Sequence, residues 1–138
     1  MKFHRSAGII PFRKKKKEIE YLLLHYEAGH WDFPKGMIEK GESEIETAKR
    51  ELKEEAGIEA NVISGFEEKI QYFFKEGGEL VKKEVIFFLG EAKNDEVKIS
   101  YEHIGYEWLP YEKAVERLTF KNSKEILKKA ESFLKNKF

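Results

Sequence analysis

The chain has 138 residues, the size of one ordinary domain and enough to bury about two thirds of its unfolded surface, so a single domain over residues 1–138 is expected. Its 26 lysines and arginines balance 26 aspartates and glutamates, which argues against a protein held to nucleic acid by bulk positive charge, and no nucleic-acid partner is expected. The absence of cysteine excludes disulfides, thiolate metal sites and cysteine nucleophiles, while 41% hydrophobic residues exclude a largely disordered chain.

In chain order, residues 3–12 and 19–26 read as two strands joined by the charged stretch Arg13-Lys14-Lys15-Lys16-Lys17-Glu18, a solvated hairpin tip. Residues 29–41 hold glycines at 29, 36 and 41 together with Pro34 and read as a loop with special backbone needs. A helix follows: Ser43 and Glu46 form a capping box, Ile45, Ala48, Leu52 and Ala56 make an apolar stripe, and Gly57 suits a left-handed stop. Residues 61–74 and 79–91 read as extended segments around a Gly77-Gly78 turn, forming a hairpin. Residues 104–108 make a short strand, and a short helix runs from Pro110 to Leu118. In the tail, Asn122 and Glu125 form a second capping pattern, with Ile126, Leu127, Ala130, Phe133 and Leu134 on one buried face. This order predicts an α/β (α+β) sandwich, with helices on a mixed sheet.

The longest apolar runs, such as residues 85–89, are far too short to span a bilayer, and the start Met1-Lys2-Phe3-His4-Arg5 lacks a signal-peptide core. A soluble, cytoplasmic protein without membrane association is expected. Lysine far outnumbers arginine, glutamate far outnumbers aspartate, and Gln71 is the only glutamine, a bias in the direction of thermophile proteins.

The chemistry concentrates on the capped helix. Glu51, Glu54 and Glu55 stand at i, i+3 and i+4, so they project from one face beside the apolar stripe, where like charges repel. A hard divalent cation, Mg²⁺ with Mn²⁺ as a substitute, would relieve that repulsion; Lys49, Arg50 and Lys53 could instead supply the charge. The surrounding residues satisfy G-x5-E-x7-R-E-U-x-E-E-x-G-U, with U apolar, from Gly36 through Glu42, Arg50 and Gly57 to Ile58. A chance match in this chain is on the order of one in a million from its residue frequencies.

That pattern is the Nudix box, and the chain resembles the Nudix hydrolases, which cleave nucleoside diphosphates linked to another moiety. The resemblance implies an α/β/α sandwich with a catalytic loop-helix-loop, and metal held by Glu51, Glu54 and Glu55 with Gly36 beside them. It implies that Glu42 and Arg50 brace the motif as an ion pair. A narrower likeness is to the asymmetric diadenosine tetraphosphate hydrolases of animal and archaeal type. His30-Trp31-Asp32-Phe33-Pro34-Lys35-Gly36 is similar to their His-Trp-x-x-Pro-Lys-Gly, residues 100–108 to their Ser-x-Glu-His-x-x-x-x-Trp, and residues 118–121 to the stretch before their last helix. By that likeness Glu102 is a fourth metal-associated and catalytic carboxylate. His30, Lys35 and Lys83 would contact polyphosphate, and Tyr72 and Phe120 would sandwich an adenine, whereas Trp31 and Trp108 would pack structurally. The implied activity is Mg²⁺-dependent cleavage of diadenosine tetraphosphate to ATP and AMP. The alternatives are a broader pyrophosphatase for oxidised nucleotides, ADP-ribose or capped RNA ends, and a non-catalytic nucleotide-binding module.

Overall fold

The computed structural model describes residues 1–137. Eight strands form one mixed sheet: β1 (Lys2–Lys15), β2 (Glu18–Tyr26), β3 (Trp31–Asp32), β4 (Lys35–Met37), β5 (Ala60–Val62), β6 (Glu68–Glu76), β7 (Glu79–Ala92) and β8 (His103–Pro110). Three helices complete the chain: α1 (Glu44–Ala56), α2 (Tyr111–Arg117) and α3 (Lys121–Lys137).

β1 organises the sheet. Along one edge it runs parallel to β7, from Lys2 opposite Val81 to Phe12 opposite Glu91. Along its other edge the partner changes: Ser6–Gly8 pair with β4, and Phe12–Lys15 pair with β2. The sheet therefore forks midway along β1, where Ile9 N–H donates to the Pro34 carbonyl at 3.2 Å. The fork seats β4 against the centre of the sheet, so residues 29–41, expected as a loop, contain the short strands β3 and β4.

Alternation along the strands divides the core in two. Ala7, Ile9, Leu22, Leu24, Ile86 and Phe88 face α1 and pack with Ala48, Leu52 and Ala56. Ile10, Phe12, Tyr21, Leu23, Val85, Phe87 and Leu89 face the other way, onto Ala114, Leu118, Ile126, Leu127, Ala130 and Leu134 of the C-terminal helices. Helices on both faces confirm the sandwich expected from element order.

Three local expectations are corrected. Residues 61–74 are not one extended run: β5 and β6 are separate strands on β7, divided by a turn at Ser64-Gly65 that satisfies Gly65 with a φ of 100°. Ile45 does not join the apolar stripe of α1, being 39% exposed at the first turn, before the helix meets the sheet. Asn122 does not cap the last helix; α3 starts one residue earlier, with Lys124 N–H donating to the Phe120 carbonyl, so Asn122 lies inside its first turn. The lysine-rich tip is a two-residue hairpin turn, Lys15 pairing with Glu18 and Lys16 at a φ of 58°. The two tryptophans pack as expected, Trp31 stacked on His25 beneath Arg117 and Trp108 beneath Arg13.

Candidate active site

The start and stop of α1 are set locally. Ser43 accepts from Glu46 N–H while the Glu46 carboxylate accepts from Ser43 N–H, and Gly57 ends the helix at a φ of 68°, returning its N–H to the Lys53 carbonyl. The loop before the helix is fastened to it by Arg50. This guanidinium grips Glu42 through two bonds of 2.7 and 3.0 Å and also donates to the Met37 carbonyl. Glu42 further accepts from Thr47 Oγ1 and Glu39 N–H. Arg50 and these donors hold the Glu42 carboxyl down at about 2. Because the Arg50 and Thr47 bonds join the helix to the loop, they tie the two together, a geometry that suits Arg's planar fork.

The three helix acids do not share one environment. Glu55 is buried, Glu51 is largely covered, and Glu54 has a 58% exposed side chain. Glu55 Oε1 accepts from Tyr26 OH and its Oε2 from Lys35 N–H, both at 3.1 Å. His103, itself buried, turns Nε2 toward Glu55 Oε1 at 3.3 Å while Nδ1 bonds Ser100 Oγ at 2.9 Å. Burial and the neighbouring Glu55 carboxylate push Glu51 up to about 8, against the pull of Arg50. Gly36 leaves the room for this: a Cβ there would lie 2.1 Å from the Glu51 carboxyl.

A buried and a largely covered carboxylate side by side form the kind of donor set that Mg²⁺ or Mn²⁺ takes. As the side chains stand, no three acidic or histidine groups among the described residues close around an ion. Arg50 Nη1 lies at 2.7 Å from Glu51 and 3.2 Å from Glu54, so both carboxylates point to the guanidinium while Glu51 also neighbours Glu55. Glu102 lies in an exposed turn, its backbone carbonyl accepting from Glu27 N–H and its own N–H donating to Ser100 Oγ. It is one residue from His103, which places it at the rim of the same acidic end of α1.

Beside the carboxylates, at the fork in the sheet, lies a cavity of about 200 Å³. Ile70 and Tyr72 line one side, Phe120, Asn122 and Ser123 another, with Asp32 and Lys35 also in its lining. Tyr72 sits opposite Lys83 in the β6–β7 register. Burial and the nearby Lys35 lower the Lys83 ammonium; burial would lower Lys35 too, but the Asp32 carboxylate outweighs it and holds Lys35 above its ordinary value. His30 stacks on Tyr26 at 4.5 Å and leans on Phe120 at 5.3 Å, and burial lowers its pKa. Tyr26 in turn touches the His103 ring, so a row of rings leads from Phe120 to Glu55.

The structure thus brings His30, Lys35, Lys83, Tyr72 and Phe120 to one cleft next to Glu51 and Glu55, and leaves Glu54 and Glu102 at its solvent edge. Sequence reasoning missed Tyr26, Asp32, His103 and Ser123 as site residues. Two signals were present: His103 is the histidine of the Ser-x-Glu-His-x-x-x-x-Trp likeness, and Asp32 and Lys35 have the spacing of an i, i+3 ion pair.

A NUDIX domain model matches residues 2–130. An asymmetrical bis(5'-nucleosyl)-tetraphosphatase from Sus scrofa is 39% identical, with 94% of this chain and 95% of that protein covered. One from Caenorhabditis elegans is 34% identical, covering 94% and 96%. The crystal structure of a C. elegans Ap4A hydrolase binary complex superposes with a TM-score of 0.86 at 32% identity, covering 96% of this chain and 98% of that one.

Proposed function

The chain belongs to the Nudix family of hydrolases, and from that premise we propose that it cleaves diadenosine tetraphosphate asymmetrically, giving ATP and AMP. The observation carrying this reading is the junction of an aromatic-walled cavity with two lysines and a crowded carboxylate pair. An adenine between Tyr72 and Phe120 would extend its phosphates over Lys35 and Lys83 toward the end of α1.

Mg²⁺, or Mn²⁺ in its place, would be held by Glu51, Glu54 and Glu55 with Glu102 and Gly36 beside them, and would neutralise phosphate oxygens as charge develops. The chain's own groups do the rest. Lys35, Lys83 and His30 orient the polyphosphate, the ammonium groups offsetting the negative charge of its oxygens so that a water can approach phosphorus. A glutamate carboxylate accepts one proton of that water as its oxygen bonds phosphorus. The phosphoanhydride P–O bond breaks, and its electron pair leaves with the departing nucleotide. Tyr26, Lys35 N–H and His103 restrict Glu55 to one orientation, so it need not reorganise during the reaction.

The test is mass-spectrometric product analysis with diadenosine tetraphosphate, ADP-ribose and oxidised dGTP in parallel, in ¹⁸O-labelled water with and without Mg²⁺. ATP and AMP as sole products, with strict metal dependence, are expected. Preference for another substrate would move the activity to the broader pyrophosphatases, and no turnover of any would leave a nucleotide-binding module.

A further inference from the structure

Asp32 is 1% exposed, yet it is a carboxylate in the lining of the aromatic-walled cavity, next to Lys35. A buried carboxylate persists only where it is well paired, and this one has three donors. Oδ1 accepts from Phe33 N–H at 2.8 Å and from Ser123 Oγ at 2.7 Å; Oδ2 accepts from Lys35 Nζ at 3.0 Å. The donors come from different walls: Lys35 precedes the motif loop, and Ser123 belongs to the first turn of α3.

One residue earlier, Trp31 N–H donates to Thr119 Oγ1 at 2.8 Å and the Trp31 carbonyl accepts from Thr119 N–H at 3.2 Å. Residues 31 and 32 are therefore bonded to residues 119 and 123. Phe120, 46% exposed and touching the His30 ring at 5.3 Å, lies between those two anchors in the chain. On the other side, Lys35 would be pushed away by Lys83 and disfavoured by burial without an anion to hold it.

We propose that Asp32 is a positioning residue joining the base wall to the phosphate site: through Ser123 it fixes Phe120, and through its second oxygen it aims Lys35. The proposal rests on the nucleotide reading given above. Its consequence is that base and phosphate are recognised as one unit, with a fixed spacing between ring and ammonium, rather than as two independent contacts.

The experiment measures calorimetric affinities of ATP and of inorganic tripolyphosphate, both with Mg²⁺, for the full chain and its variants, with thermal melts as the folding control. Tripolyphosphate has the same three-phosphate chain without the nucleoside. Ser123→Ala should weaken ATP about fivefold and leave tripolyphosphate within about twofold. In a Phe120→Ala background it should add almost nothing, because the residue it acts through is gone. Asp32→Asn keeps an acceptor for Ser123 but removes the charge facing Lys35; it should weaken both ligands about tenfold, an effect that vanishes in a Lys35→Met background. Effects that multiply independently in these backgrounds overturn the proposal. So does tighter tripolyphosphate binding by Asp32→Asn, the mark of a charge that merely opposes phosphate. If Asp32→Asn fails to fold, the Ser123 and Phe120 cycle decides alone. Wild-type binding of ATP without turnover of diadenosine tetraphosphate would sink the proposed activity but not this inference, whereas turnover with binding of neither ligand sinks this inference alone.

Discussion

The two faces of the sheet bury comparable apolar sets but treat charge in opposite ways. Under α1, acids crowd the edge of the core: Glu55 is buried and Glu51 is pushed up to about 8. Toward α3, the charge beside the cavity is paired off, Asp32 with Lys35 and Ser123, and the walls are aromatic. One face crowds carboxylates where a cation would fit; the other offers flat rings and shape where a base would fit. The fork in β1 is what lets a single ligand touch both.

The sharpest way to break this contrast is Glu55→Gln, which removes charge at nearly constant shape. Turnover should fall about 100- to 10,000-fold in steady-state kinetics while the melting temperature holds or rises, since a repulsive charge is gone. Near-normal activity with Mg²⁺ would mean that the α1 face is not the chemical one. On the recognition face, Tyr72→Ala should raise KM for diadenosine tetraphosphate about tenfold with a smaller change in kcat, the signature of lost base stacking. An unchanged KM would return Tyr72 to simple packing.

A third test uses pH. The folded pKa of Glu51, about 8, lies above its ordinary 4.5, so its protonated form is favoured by the fold. In chelator, that stabilisation is complete below about pH 4.5 and is lost as pH rises through about 8, so melting temperature should decline across this window. Added Mg²⁺ should restore it most at the alkaline end. Glu42, held at about 2, has the opposite sign: its contribution is present above its ordinary value and disappears only in strong acid. A melting temperature that stays flat in chelator between about pH 4.5 and 8 would remove the strain assigned to the Glu51–Glu55 pair. The smallest expected effect belongs to Ile45→Ala, within about 0.5 kcal/mol by denaturant unfolding, whereas Leu52→Ala on the same helix should cost about 2–5 kcal/mol. Equal losses would restore Ile45 to the buried stripe.

Much of the α1 face was legible in sequence because its signals are local. The capping box, the Gly57 stop and the acid spacing each need only a few neighbouring residues, and all three appear where expected. What spacing could not reveal is the inequality of the acids: Glu54 points outward and Glu55 inward because Tyr26, Lys35 and His103 converge on one of them from three separate segments. The recognition face was read only through resemblance, and its clamp was missed. Ser123 looked like part of a capped tail, yet its hydroxyl serves a carboxylate 91 residues away. Such a bond leaves no periodicity. The mistaken cap at Asn122 has the same origin, since the chain enters α3 under the direction of Trp31 and Asp32 rather than of its own side chains.

The parallel pairing of β1 with β7 has a temporal meaning. Arg5 and Glu84, which face each other in that register, are 79 residues apart, and both halves of the core rest on these two strands. Closing so long a loop must precede most of the reward for doing so. While the chain is being synthesised, β1 can zip onto β2 as a hairpin, but its other edge and the seat of the fork must wait until residues beyond 90 have left the ribosome. The motif helix is complete well before the platform that gives it a purpose, so the growing chain passes through a stage in which its acids are already aligned and its ligand has nowhere to lie.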